Sequence, residues 1–144
     1  MSPTKIKLVV AEDNLIIRTG IRRILNRSQD IEVVGEAING KEALQLVQET
    51  KPDILLLDVE MPVLNGIEVA RRLKETQTLT RILVLSAYDD QEYIRGMLLN
   101  GASGYLLKDE APERIIEAVK GIAQGETGWV SPQVETRIKK KTKK

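Results

Sequence analysis

The chain contains no cysteine and no histidine in its 144 residues. Without cysteine, neither a disulfide framework nor a thiolate metal site is available. Without histidine, no imidazole can serve as a metal ligand or as a base. Any chemistry carried by this sequence must therefore use carboxylates, hydroxyls and lysines.

The N-terminus also lacks a long apolar segment. Residues 1–10 read MSPTKIKLVV, an apolar run that is too short for a signal peptide and is followed at once by acids. We therefore expect a cytoplasmic protein. With 42% hydrophobic and 30% charged residues, the composition is typical of a soluble globular protein, and the length suits one domain with a single core.

The charge is distributed unevenly along the chain. The net charge is +1, but five of the last six residues are lysines, which leaves 17 basic residues against 21 acids, or about −4, for residues 1–138. This mildly acidic balance argues against nucleic-acid binding by the compact part of the chain. The lysine-rich end is expected to be a solvated linker, with direct contact to nucleic acid as the alternative.

Short apolar runs recur along the chain at intervals of 23 to 28 residues, starting at Leu8, Ile31, Ile54, Ile82 and Tyr105. Each interval has room for one strand, one helix and two loops. Asn-Gly pairs at 39–40 and 65–66 are expected to open the second and third helices, and Gly101 to follow the fourth. The runs are continuously apolar, as in strands that are buried on both faces. The sequence therefore predicts an α/β fold, a doubly wound five-stranded parallel sheet with five helices.

Polar residues follow four of the predicted strands at the point where each strand ends: Glu12-Asp13, Asp58, Ser86 and Lys108. Because the carboxyl ends of parallel strands meet at one edge of the sheet, and ligands bind there in open α/β folds, these side chains are expected to converge.

Each of these residues has an ordinary structural explanation when it is taken alone. Asp13-Asn14 could cap a helix, and Asp58 could open the turn toward Pro62. Ser86 could be a small residue at a strand end, and Lys108 a surface charge. Together, however, three carboxylates would repel one another unless a cation joined them. Oxygen ligands suit Mg²⁺ or Mn²⁺, and a lysine and a hydroxyl beside the ion would bind the oxygens of a phosphoryl group.

Four segments resemble the site of the response-regulator receiver domains, whose fold is CheY-like (flavodoxin-like): AEDN at 11–14, LLLDVEMPVLNG at 55–66, LSA at 85–87 and GYLLKD at 104–109. The resemblance covers residues 5 to about 125. The last of these segments, together with GETGWVSPQV at 125–134, is similar to the NarL/FixJ subfamily of two-component transcriptional regulators.

The resemblance implies a role for each matching residue. Asp58 would accept a phosphoryl group from a phosphohistidine on a sensor histidine kinase. Mg²⁺ (or Mn²⁺) would be held by Asp13, Asp58 and the backbone carbonyl of Glu60, with Glu12 acting mainly through a water. Lys108 would pair with the phosphoryl oxygens. Ser86 and Tyr105 would form the switch, and Glu60 and Tyr88 would tune the lifetime of the phosphorylated state.

The resemblance also implies how the chain is organised and used. Residues 1–125 would form the receiver domain, and residues 126–144 a basic linker leading to a helix-turn-helix DNA-binding domain that is not in this chain. Such a protein is a signalling domain that assists its own phosphorylation and dephosphorylation rather than an enzyme with a separate substrate. It would form a phosphorylation-dependent homodimer, contact DNA only through the further domain, and have no membrane partner.

Two positions depart from the usual receiver pattern. Many receivers place proline after the lysine in a cis peptide, whereas Asp109 follows Lys108 here, so a cis bond is not expected. Ser86 stands where many members have threonine, which keeps the hydroxyl.

Three other functions are alternatives to this one. A haloacid-dehalogenase-like phosphatase would need a second aspartate two residues after the nucleophile, where this chain has Glu60. A stand-alone receiver-like interaction module, without its own DNA-binding output, is the second alternative. A nucleotide-binding function is disfavoured, because no GxGxxG or GxxxxGK[ST] loop follows any strand.

Overall fold

The computed structural model describes residues 5–87 and 90–136, apart from the side chains at positions 111 and 113. Within these residues, strands and helices alternate along the chain, in the order β1 Ile6–Ala11, α1 Leu15–Leu25, β2 Ile31–Ala37, α2 Gly40–Thr50, β3 Ile54–Asp58, α3 Gly66–Glu75, β4 Arg81–Ser86, α4 Gln91–Leu99, β5 Gly104–Leu107, α5 Ala111–Ala123 and β6 Trp129–Val130. The five predicted strands and five predicted helices are all confirmed.

The strands form one sheet in the order β2-β1-β3-β4-β5-β6, and every neighbouring pair is parallel. The order of the strands reverses at β1, so a crevice opens between the carboxyl ends of β1 and β3. In doubly wound sheets, this reversal point is where ligands bind.

Asparagines begin three of the helices. The side chains of Asn14, Asn39 and Asn65 accept hydrogen bonds from backbone N–H groups in the first turns of α1, α2 and α3, which satisfies donors that have no partner inside a helix. Gly101 follows α4 with a φ of 90°, a left-handed conformation that glycine adopts without steric strain. The predicted turn signals are therefore confirmed.

Helices cover both faces of the sheet and create two apolar cores. One core lies under α1 and α5 and includes Leu8, Leu56 and Ile115. The other lies under α2, α3 and α4 and includes Leu55 and Met97. Alternate residues of each strand enter opposite cores, which explains why β3 reads as an uninterrupted apolar run.

The sheet has six strands within the described residues rather than the five that were predicted. The short strand β6 pairs with β5, with Gly104 opposite Trp129 and Tyr105 opposite Val130. Residues 132–136 then form a helical turn, and Val134 in this turn is fully buried.

The packed part of the chain continues beyond residue 125, to at least Val134. A run of two residues is too short to be predicted as a strand from sequence. Trp129 and Val130 form β6 by pairing with the edge of β5, which is distant in the sequence. The predicted lysine-rich end, at residues 139–144, lies outside the described residues.

No described helix is both long enough and apolar enough to span a membrane. The described residues contain no cis peptide bond, so the Lys108-Asp109 peptide is trans.

Candidate functional site

The carboxyl edge of the sheet brings the predicted acids together. Glu12 and Asp13 follow β1 directly, and Asp58 is the last residue of β3. One carboxylate oxygen from each of the three residues lies within 4.8 Å of the other two. Glu12 and Asp58 are buried, whereas Asp13 is exposed and opens the cluster to solvent. These acids lie at the crevice between β1 and β3, as the strand order requires.

Lys108 lies just beyond the end of β5 and reaches into the acid cluster. Its Nζ lies 2.6 Å from Glu12 Oε1 and 3.4 Å from Asp58 Oδ2. Its backbone N–H donates a 2.8 Å hydrogen bond to the carbonyl oxygen of Ser86 at the end of β4. The lysine is therefore held from its backbone, and its ammonium group pairs mainly with Glu12.

Glu12 makes a direct contact with Lys108, which the resemblance did not imply. Action through a water was expected for this residue, but in the structure its side chain forms the shorter of the two ion pairs with Lys108. Its other carboxylate oxygen accepts a 3.1 Å hydrogen bond from the backbone N–H of Asn14. Glu12 therefore orients the lysine that lies beside Asp58.

The acid cluster has more negative than positive charge, since Lys108 is the one cation described beside three acids. Burial and the nearby charge of Glu12 raise the pKa of Asp58 from 3.8 to about 7, although Lys108 and the backbone N–H of Glu60 oppose the shift. For Lys108, burial alone would lower the pKa, but the hydrogen bond to Glu12 and the charge of Asp58 outweigh it, so the pKa is raised. The raised pKa of Lys108 favours its charged form, and the raised pKa of Asp58 favours its protonated form.

The loop after Asp58 runs tightly against α3. The backbone N–H of Glu60 points at Asp58 Oδ1 over 3.4 Å, and the N–H of Gly66 donates a 2.8 Å hydrogen bond to the carbonyl of Val59. A Cβ atom at position 66 would lie 2.7 Å from the carbonyl oxygen of Asp58 and 2.8 Å from the Cα of Val59. Glycine is therefore required at the start of α3 for the loop to approach this closely.

The remaining predicted residues lie in different surroundings. Ser86 at the end of β4 and Tyr105 in β5 are both fully buried, and Val84 stands opposite Tyr105 in the paired strands. Glu60 is exposed on the loop after β3. Tyr88, which was predicted to tune the lifetime of the phosphorylated state, lies outside the described residues.

The residues of this cluster fit a hard divalent cation. They offer only oxygen ligands, as Mg²⁺ and Mn²⁺ prefer, and an exposed Asp13 leaves room for water molecules on the solvent side. The pKa of Asp58 is raised by burial and by the charge of Glu12, so the nearby ammonium group of Lys108 does not fully offset these two effects. A bound cation would lower this pKa and favour the charged carboxylate.

An arginine and a glutamate that the sequence analysis did not single out also contact this region. The Nη1 of Arg18 in α1 donates a 2.9 Å hydrogen bond to the backbone carbonyl of Glu12, and its Nε donates a 3.0 Å hydrogen bond to Glu36 in β2. Glu36 lies near the carboxyl end of β2. A polar residue at that strand end is a sequence signal of the same kind as those at the ends of the other four predicted strands. The contact between Arg18 and a backbone carbonyl leaves no mark in the sequence.

Comparison with known proteins places the chain in a family. Residues 8–120 match the response regulator receiver domain, and the chain belongs to this family. It is similar to the transcriptional regulatory protein DegU of Brevibacillus brevis, with 40% identity over 134 residues, and to the oxygen regulatory protein NreC of Staphylococcus epidermidis, with 44% identity over 133 residues.

These alignments span 93% and 92% of the chain but only 56% and 61% of the two relatives. The chain therefore spans little more than half the length of these relatives.

Solved structures agree with this assignment. The signal receiver domain of the response regulator NarL from Mycobacterium tuberculosis superposes with a TM-score of 0.83 and 39% identity, covering 86% of this chain and 100% of that one. A two-component response regulator of the LuxR family from an Aurantimonas species superposes with a TM-score of 0.90 and 28% identity, covering 98% and 100% of the two chains.

The chain is therefore a receiver domain of the kind found in NarL/LuxR-family two-component regulators, as predicted. Receiver domains are signalling domains, so the haloacid-dehalogenase-like alternative is set aside.

Proposed function

We propose that this chain is phosphorylated on Asp58 in a reaction that needs Mg²⁺ or Mn²⁺, and that it thereby acts as the switch of a two-component system. The observation that supports this most strongly is the position of Asp58, buried at the sheet's reversal point with Lys108 Nζ 3.4 Å away and two further acids within 4.8 Å. A nucleophilic carboxylate, a fixed cation and a cluster of metal-binding oxygens are the parts that phosphoryl transfer to an aspartate requires.

In the proposed reaction, an oxygen of Asp58 attacks the phosphorus of a phosphohistidine on a sensor histidine kinase. The new bond joins this oxygen to phosphorus, the bond from phosphorus to the imidazole nitrogen breaks, and the released imidazole takes up a proton. Lys108 neutralises charge on the phosphoryl oxygens as they approach. Since the transition state spreads charge over these oxygens, alignment and neutralisation account for most of the required catalysis.

Asp13, Asp58 and the backbone carbonyl of Glu60 would hold the cation, and Glu12 would reach it mainly through a water. When bound, Mg²⁺ neutralises charge on the carboxylate and on the incoming phosphoryl group. Glu12 has a further part in this proposal, since its 2.6 Å ion pair holds the ammonium group of Lys108 beside Asp58.

After transfer, the hydroxyl of Ser86 would turn to hydrogen-bond the phosphoryl oxygens, and Tyr105 would respond to that movement. The backbone hydrogen bond from Lys108 to Ser86 supports a mechanical link between these strand ends. Tyr105 lies opposite Val130 of β6, so a change at this tyrosine would reach the C-terminal segment of the described chain.

We further propose that the output is control of transcription, in a homodimer that forms on phosphorylation. The relative from Brevibacillus brevis is a transcriptional regulatory protein, and the similar structure from an Aurantimonas species is a two-component response regulator of the LuxR family. DNA contact would come from a further domain, so residues 1–144 should show only weak binding that falls steeply with salt. A sequence-specific footprint by these residues would contradict this.

The phosphorylation proposal is tested by incubating the protein with acetyl phosphate and measuring its intact mass. One phosphoryl group per chain is expected with Mg²⁺ and none in excess EDTA. Asp58→Asn should abolish the gain, whereas Asp53→Asn should not, because Asp53 lies immediately before the start of β3, at the end away from Asp58, and its exposed carboxylate accepts a hydrogen bond from the Lys7 backbone. Modification of Asp58→Asn at a comparable rate would refute Asp58 as the acceptor.

A further inference from the structure

The main chain of Glu12 is held on two sides. Its N–H donates a 3.0 Å hydrogen bond to the carbonyl of Ala37 in β2, and its own carbonyl accepts the 2.9 Å hydrogen bond from Arg18 Nη1. Asp13 follows immediately, and both residues contribute oxygens to the acid cluster. The direction in which these two carboxylates leave the end of β1 therefore depends on the contacts made by the two peptide groups that flank Glu12.

Arg18 is itself held firmly. Its side chain is only 12% exposed, and its Nε pairs with Glu36 Oε1 at 3.0 Å. Arg22, one helical turn later, pairs with the other oxygen of Glu36 at 2.9 Å but is 57% exposed. Both arginines contact Glu36, but within the described part of the chain only Arg18 has a second hydrogen bond, to the carbonyl of Glu12. The Arg18 guanidinium thus joins α1, β2 and the loop that carries the acids.

We propose that Arg18 is a positioning residue for the divalent-cation site, acting through the Glu12 carbonyl with Glu36 as its anchor. This inference rests on the proposed function, because it assumes that Glu12 and Asp13 serve a cation. The three acids lie within 4.8 Å of one another and repel one another whenever they are charged, so an acid pair on a loosely held loop would move apart when no ion is bound. Because Arg18 already holds the loop in place, the loop loses less conformational entropy when the cation binds.

A purely electrostatic role for Arg18 predicts the opposite result. A positive charge near a cation site repels the cation, so removing it should tighten binding. Positioning predicts that removal weakens binding, because the carboxylates are no longer held in place. The sign of the change in cation affinity therefore separates the two roles.

The test compares Arg18→Gln with Arg22→Gln as a matched control. The control removes one positive charge and one ion pair to the same glutamate but leaves the Glu12 carbonyl untouched. Two quantities are measured for each variant, namely the dissociation constant for Mn²⁺, from the spin-resonance signal of the free ion, and the Mg²⁺ concentration that gives half the maximal rate of modification by acetyl phosphate.

For Arg18→Gln, both quantities are expected to rise about tenfold, the usual effect of losing a group that orients metal ligands. The rate at saturating Mg²⁺ should stay within about twofold of the wild type, since Arg18 does not touch the reacting atoms. Arg22→Gln should change neither quantity by more than about twofold. Arg18→Lys, which keeps the charge and one donor, should recover part of the affinity.

An unchanged or tighter Mn²⁺ affinity in folded Arg18→Gln would overturn the inference, as would an equal loss in Arg22→Gln. If Arg18→Gln does not fold, Glu36→Gln serves instead, because it weakens the anchor and keeps the contact to Glu12. Its Mn²⁺ dissociation constant should rise by a smaller factor, and no rise would also overturn the inference. If wild-type protein binds Mn²⁺ but gains no phosphoryl group, the proposed function fails while the Mn²⁺ comparison still decides the role of Arg18.

Discussion

Replacing Asp58 by asparagine is expected to stabilise the metal-free protein above neutral pH. The folded protein raises the pKa of this carboxyl from 3.8 to about 7, chiefly through burial and the charge of Glu12. The folded state therefore binds a proton more tightly than the unfolded state, and the free energy of unfolding falls as the pH rises from about 4 to about 7. Below this window the penalty is absent, and above it the penalty is fully present.

The size of the effect follows from the shift. The two pKa values differ by about 3 units, and each unit corresponds to about 1.4 kcal/mol, so the gain cannot exceed about 4 kcal/mol. The realised gain is smaller, because the amide group that replaces the carboxylate is buried with a donor to satisfy and because Lys108 loses a charged partner, each at a cost of about 1 kcal/mol. We expect Asp58→Asn to be more stable by about 1–3 kcal/mol at pH 8 in EDTA.

Urea unfolding followed by circular dichroism measures this difference. The variant and the wild type should be compared at pH 8 and pH 4.5 in EDTA, and again at pH 8 with Mg²⁺. The gain should shrink toward zero at the lower pH, where Asp58 is protonated. It should also shrink with Mg²⁺, which stabilises the folded wild type by binding to it. Asp53→Asn, at an exposed position immediately before β3, is the control for replacing an aspartate by asparagine.

Equal stability of the two proteins at pH 8 in EDTA, or a less stable Asp58→Asn, would refute the reasoning. It would mean that the buried charge at Asp58 is already compensated without a metal ion, with Lys108 alone sufficient. The premise that the acid cluster needs a cation would then lose its energetic basis.

Three further outcomes are expected. Gly66→Ala should destabilise the fold by roughly 1–3 kcal/mol in thermal unfolding, because the added Cβ would meet backbone atoms at 2.7 and 2.8 Å. The control Gly20→Ala, with no atom within 4 Å of the added Cβ, should stabilise the fold by about 0.5–1 kcal/mol. Equal effects of the two substitutions would contradict the close approach of the loop to α3. Tyr88→Ala should speed loss of the phosphoryl group several-fold, equivalent to roughly 1 kcal/mol of barrier, if the ring shields the phosphorus from water; an unchanged half-life would leave Glu60 or the kinase as the source of control. Beryllofluoride should raise the dimer fraction in sedimentation at high protein concentration, and equal fractions with and without it would count against coupling between the site and dimerisation.

The elements that position the site could be predicted from sequence because their signals are local. An apolar run such as the one at residues 54–57 marks a strand buried on both faces, and the polar residue that ends it falls at the carboxyl edge whatever the rest of the chain does. Since parallel strands bring these ends together, the proximity of Asp58 to Glu12 and Asp13 followed from the topology alone. The Asn-Gly pairs marked the helix starts in the same local way.

The features that were not predicted depend on contacts between distant parts of the chain. β6 consists of two residues that pair with the edge of β5, and Val134 is buried in the core that lies under α2, α3 and α4. The hydrogen bond from Arg18 to the Glu12 carbonyl is set by the relative placement of α1 and β1. The raised pKa of Asp58 likewise requires the burial and the neighbouring charge to be known together.

The most direct test of phosphorylation at Asp58 is to locate the modified residue chemically. Protein treated with acetyl phosphate and Mg²⁺ is reduced with borohydride, which converts an aspartyl phosphate to homoserine, and the peptides are then sequenced by mass spectrometry. Homoserine should be found at position 58, and only when Mg²⁺ was present. Homoserine at position 13, or at position 58 after treatment in EDTA, would contradict the roles proposed for the acids and the metal ion.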